Sequence, residues 1–198
     1  MGLALGYFDY YLIIINIVGF ILFTFNTWLY SHTEDQQIDT ILTIVSLLGG
    51  TLGIVLSIMA FDRKAVKGNM MSRVFVFCIL AIQIVVVLVM KGNIKENITF
   101  AFWNFFDKYK ILIVYLLIIN FATLIAFGID KINAVTHRSR IRIVTLLGLA
   151  FAGGSIGALL AMYFFRHKTK QDYFAVGVPL IIVMQIVVIF YLMNAKQL

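Results

Sequence analysis

Few side chains in this chain could do chemistry, and their spacing narrows what that chemistry could be. There are three histidines, His32, His137 and His167, and one cysteine, Cys78, which sits inside an apolar run. A lone thiol excludes a disulfide framework and any multi-cysteine metal or iron–sulfur centre. With no basic neighbour in sequence, Cys78 reads as a small core residue. No Ser-His-Asp order, zinc-protease motif or pair of intramembrane carboxylates occurs. We therefore assign no catalytic residue, metal ligand or cofactor and expect a protein that is not an enzyme. Two features suited to binding remain. Arg166-His167-Lys168-Thr169 clusters positive charge that fits a phosphate headgroup or anionic solute, although plain anchoring of a helix end accounts for it equally well. Asn16, Asn120, Gln83 and Gln185 fall inside apolar stretches, where an amide must find a partner. They read as hydrogen bonds between helices, or as a polar ligand site near the membrane midplane.

The elements that carry these residues belong to a membrane protein. Hydrophobic residues make up 62% of the chain and charged residues 13%, with a mean hydropathy of +1.00. Soluble domains are about 45–50% apolar and about 25% charged, and a small fold cannot hide so much apolar surface from water. The net charge of +7 then points to anionic headgroups rather than nucleic acid. The first ten residues carry no Lys or Arg, so no cleavable signal is expected. Six stretches approach the roughly 20 apolar residues of a spanning helix: Tyr10–Tyr30, Ile38–Phe61, Val74–Met90, Ile111–Ile129, Ile143–Phe165 and Phe174–Met193. Between the third and fourth, Lys91–Lys110 holds a short apolar core with Trp103 and flanking lysines, which predicts an interfacial segment.

The chain repeats itself. At an offset of 104, residues 11–64 match 115–168 with 14 identities and no gap. Asn16 falls on Asn120, Gly49-Gly50 on Gly153-Gly154, and Gly53 on Gly157. After a two-residue deletion Gln83 falls on Gln185. The expected organisation is a three-helix repeat over 1–90, an interfacial linker over 91–110 and a second repeat over 111–198. Three spans per repeat make the two repeats inverted. The acidic loop of Glu34, Asp35 and Asp39 against the basic loop of Arg138, Arg140 and Arg142 agrees with that. With both termini cytoplasmic, the inner side holds 9 Lys and Arg and the outer side 7.

Within the second repeat run Asn120, Gly128-Ile129-Asp130-Lys131, Ala134, Arg140-Ile141, Gly153-Gly154-Ser155-Ile156-Gly157-Ala158 and Phe165-Arg166-His167-Lys168-Thr169. This pattern, over about residues 115–174, resembles the bacterial membrane proteins grouped as DUF1294, a family of unknown function. The resemblance implies a small multi-pass protein of the inner membrane and no assigned reaction. The family's usual acidic residue after Arg-Ile is replaced here by Arg142-Ile143-Val144. The first repeat is a diverged copy, with Asn26-Thr27 in place of Asp-Lys.

Small residues four apart, Gly49 and Gly53, and likewise Gly153 and Gly157, form ridges along which membrane helices approach closely. They are expected to join the second and fifth spans. Asp130 is expected to pair with Arg63 or Arg140, on the face opposite Arg166-His167-Lys168. His32, Glu34, Asp35 and His167 would share a face under inversion, without making a metal site the better reading. The reading as a whole is an all-α membrane protein of six helices in two inverted repeats, either a small transporter or ligand-binding protein. The alternative is a non-catalytic scaffold that packs a partner protein, forms a homo-oligomer or binds anionic lipid.

Overall fold

The computed structural model describes residues 6–32, 39–62, 69–94 and 98–195. These form helices α1 (Tyr7–His32), α2 (Asp39–Val45), α3 (Thr51–Phe61), α4 (Met70–Met90), α5 (Phe102–Lys108), α6 (Lys110–Val135), α7 (Ile143–Leu149), α8 (Ser155–Phe164), α9 (Asp172–Ala175) and α10 (Gly177–Asn194). Six segments are long and apolar enough to cross a membrane. Contacts divide the chain into two compact units, Met1–Gln83 and Ile84–Leu198. The linker and the last turns of α4 thus group with the second unit.

Two of the six apolar segments are not straight helices. In each, a glycine with φ near +120° (Gly49 at 118°, Gly153 at 119°) sits between a seven-residue helix and a longer one. Side chains rarely tolerate that backbone region, which is why glycine stands there. The chain turns back on itself at this point. Tyr115 bonds Ala152, Asn120 bonds Gly157 and Asp130 bonds His167, each pair 37 residues apart. A constant positive offset means that α8 runs in the same direction as α6, so α7 must have returned the chain beforehand. In the first unit Tyr11–Leu48 and Asn16–Gly53 repeat the same offset of 37, and α3 runs parallel to α1. The segments 39–61 and 143–164 are therefore helical hairpins. Their limbs of seven to eleven residues reach about 10–17 Å, short of a bilayer core of about 30 Å.

In the second unit the hairpin enters and leaves beside the same residue, Asp130, of the helix that precedes it. The second unit is closed at its other end by the linker. Asn194, fully buried at the end of α10, accepts from the Thr99 backbone N–H at 2.8 Å and donates to the Thr99 carbonyl at 3.2 Å. Ile94 and Ala195 form an isolated antiparallel bridge beside it. The outward faces are apolar, with Ile14, Ile17, Ile21, Leu117, Ile118 and Phe121 all exposed, as suits a lipid solvent.

The hairpin is tested by labelling. In a Cys78→Ala background, Ser139→Cys and Thr169→Cys are expected to react with an impermeant maleimide from the same side of the membrane, and Asn93→Cys from the other. Labelling of 139 and 169 from opposite sides would show that 143–164 crosses.

Candidate functional site at the hairpin tip and mouth

A helix that ends within the membrane leaves carbonyls of its last turn and N–H groups of the next first turn without partners. Hydrocarbon offers none, so each must be bonded from within the protein. The second unit meets this with three side chains. Gln185 on α10 donates to the carbonyls of Ala150 at 2.8 Å and Phe151 at 3.2 Å. The Tyr115 hydroxyl donates to Ala152, and Asn120 donates to Gly153 at 2.9 Å. On the far side of the break, the Gly157 N–H donates to Asn120 Oδ1 at 2.7 Å and the Ser155 hydroxyl to Gln185 Oε1.

The first unit solves the same problem in the same way. Gln83 donates to the Ser46 carbonyl and accepts from the Thr51 hydroxyl. Tyr11 donates to Leu48 at 2.6 Å, and the Gly53 N–H donates to Asn16 Oδ1 at 2.9 Å. The four intramembrane amides are thus engaged with backbone at the tip of their own unit's hairpin. Tyr11, Tyr115, Thr51 and Ser155 share that work. Their signal in the sequence was the offset of 104, which aligns each pair.

The glycine ridges face a different neighbour from the one expected. Each packs on the first helix of its own unit. A Cβ on Gly53 would lie 1.8 Å from the Asn16 carbonyl oxygen, and one on Gly157 would lie 2.1 Å from that of Asn120. The reason lies in the caps. A short amide reaches the N–H of position 53 or 157 only when the two backbones touch.

At the open end of the second hairpin sits Asp130, fully buried. The expectation that it lies across the membrane from Arg166-His167-Lys168 is wrong, because the hairpin returns to the face it left. Lys168 Nζ is 2.7 Å and His167 Nε2 2.9 Å from Asp130 Oδ2, and the Ile141 N–H donates to Oδ1 at 2.9 Å. One carboxylate therefore ties the segment leading into the hairpin to the segment leaving it. Of the expected partners, Arg140 is exposed and Arg63 lies outside the described residues, as do Glu34 and Asp35.

The turn after α8 makes this possible. His167 N–H bonds back to the Met162 carbonyl at 3.0 Å, and Arg166 and Lys168 adopt φ of 44° and 62°. These are uncommon values for residues with side chains. They aim His167 and Lys168 inward and leave Arg166 exposed. Lys168 Nζ also stacks 4.7 Å over the Phe174 ring, which packs edge-on against Phe127 at 5.5 Å. In the first unit the hairpin's exit is tied differently, by Asp62 to Arg73 at 3.1 Å and to Asn69.

Fold and site together define an all-helical protein with six segments long and apolar enough to cross a membrane, two of them folded back as hairpins. The family described as protein of unknown function (DUF1294) matches residues 120–174, from the Asn120 cap to the Phe174 ring beneath Lys168. The uncharacterized protein YsdA of Bacillus subtilis (strain 168) is 40% identical over 79 residues, 40% of this chain and 89% of that relative. The chain belongs to the DUF1294 family. No solved structure matches it.

Two predictions follow from the contacts. Gly157→Ala should cost about 1–3 kcal/mol through overpacking against Asn120, whereas Gly148→Ala, which meets nothing within 4 Å, should melt like the parent. Equal melting of the two variants would contradict the close approach. Asp130→Ala should cost about 3–5 kcal/mol by stranding a buried ammonium. The double change Asp130→Ala, Lys168→Met should recover part of that loss, and a purely additive double variant would deny the pair.

Proposed function

We propose that this chain is a ligand-binding protein of the bacterial cytoplasmic membrane that holds a phosphate-bearing anion, headgroup or solute, at the mouth of its second hairpin. The observation that carries this reading is the exposed Arg138, Arg140, Arg142 and Arg166 at the mouth that Asp130 draws together. Guanidinium groups suit phosphate through paired hydrogen bonds, and these are not needed by Asp130. Lys168 and His167, engaged inward, are positioning residues in this reading, and the exposed arginines would touch the ligand. No bond-making step is part of it.

Orientation supports the same site. In the first unit all four Lys and Arg (Arg63, Lys64, Lys67 and Arg73) follow the hairpin. In the second, seven lie at the mouth side and five in the linker and C-terminus. The positive-inside tendency then favours, for each unit by itself, a hairpin mouth facing the cytoplasm. Both termini would lie on the outer side, the reverse of the orientation that six crossings suggested.

A transport role draws on the hairpins, since broken helices at membrane depth are a device of transporters. A scaffold role draws on the tip, where the amides that could bind a solute are engaged with backbone. A thermal-shift titration with phosphatidylglycerol and with inorganic phosphate tests the mouth. Arg140→Gln with Arg166→Gln should weaken binding about thirtyfold without lowering the melting temperature. Arg63→Gln with Lys64→Gln should change binding little. Equal loss in both double variants would mean surface electrostatics alone, and no loss in either would end the proposal.

A further inference from the structure

A second feature lies at the opposite end of the second unit, away from the arginines. The interfacial helix α5 and the first turns of α6 enclose, with Leu192 of α10, a groove of about 650 Å³. Phe105, Tyr109, Ile111, Leu112 and Tyr115 give it an almost wholly apolar wall. Its rim carries Lys108 and Lys110, both exposed, and Asp107. The groove starts where α6 begins at Lys110 and runs inward to Tyr115, so its outer end lies at headgroup depth and its inner end among acyl chains. Trp103, 85% exposed on α5, marks the same interface, where indole rings collect.

We infer that this groove holds one acyl chain of an anionic phospholipid, with the phosphate seated between Lys108 and Lys110. Charge chooses the occupant. A chain alone would satisfy the apolar wall, but the two ammonium groups at its outer end, against one carboxylate, select a headgroup with net negative charge. The site also reaches the hairpin. Tyr115 lines the groove with its ring and caps the Ala152 carbonyl with its hydroxyl, so a seated chain packs against a side chain that holds the tip in place. This inference is independent of the arginine site at the mouth, and neither stands on the other.

Native mass spectrometry of the full chain in detergent, titrated with phosphatidylglycerol or phosphatidylcholine, provides the test. Phosphatidylglycerol should be retained more strongly by the parent, and each of Lys108→Gln and Lys110→Gln should weaken it about fivefold. With the arginine mouth removed by Arg140→Gln and Arg166→Gln, Leu112→Trp should remove retention of both lipids by filling the groove, with Leu192→Phe as the second filling variant if the first does not fold. Equal retention of the two lipids, insensitivity to the lysines, or undiminished retention in the filled variants would each overturn the inference.

Discussion

A backbone broken inside hydrocarbon must have its polar groups bonded by other parts of the protein. Each unpaired group costs several kcal/mol there, and total stability is only about 5–15 kcal/mol, so a few stranded groups would unfold the unit. The glycine reversals at 49 and 153 open such a gap twice. The remaining architecture answers it. Tyr115 and Asn120 approach from α6 and Gln185 from α10, so the hairpin can form only when both flanking helices are docked. The parallel run of α6 and α8, and the bare glycine face between them, are geometric consequences of that need.

Tip and mouth divide the work of holding the hairpin. The tip is fixed by neutral amides and hydroxyls, which carry no charge penalty at depth. At the mouth, closer to the headgroups, the second unit uses a charge. Asp130 is fully buried, yet Lys168, His167 and the Ile141 N–H surround its two oxygens. A buried ion pair tends to contribute less to stability than to specificity of arrangement. Here it sets which residues of Arg166-His167-Lys168 point in and which point out. The first unit keeps the tip chemistry and replaces the mouth, with Asn26 aligned to Asp130 and an Asp62–Arg73 pair after the hairpin. The shared demand is therefore the backbone break, and the mouth is where the units differ.

The relative from Bacillus subtilis adds scale to this. Its aligned 79 residues make up 89% of its length but 40% of this chain, which is about one repeat. A protein of this family can thus be little longer than one repeat. The segment matched by the family, 120–174, spans the Asn120 cap, the Asp130 anchor and the whole second hairpin. Asn120, Asp130, His167 and Lys168, which help carry the resemblance, each have a physical task in this structure.

Composition and repeat were legible in the sequence because both are local or periodic properties. A mean hydropathy of +1.00 demands a lipid solvent, and an offset of 104 that aligns Asn, Gln and paired Gly needs no coordinates to be seen. The amides inside the spans announced that bonds must exist, without saying to what. Hydropathy could not separate a crossing from a hairpin: Ile143–Phe164 reads as one 22-residue apolar span whether it is straight or folded at Gly153. Only the tertiary structure decided that, through the 37-residue offset of its contacts. With the fold of that one segment went the helix that its glycine ridge faces and the meeting of Asp130 with Lys168. The physical reason is that a glycine pair permits a reversal but does not require one. The reversal becomes favourable only when side chains distant in sequence bond the backbone it exposes.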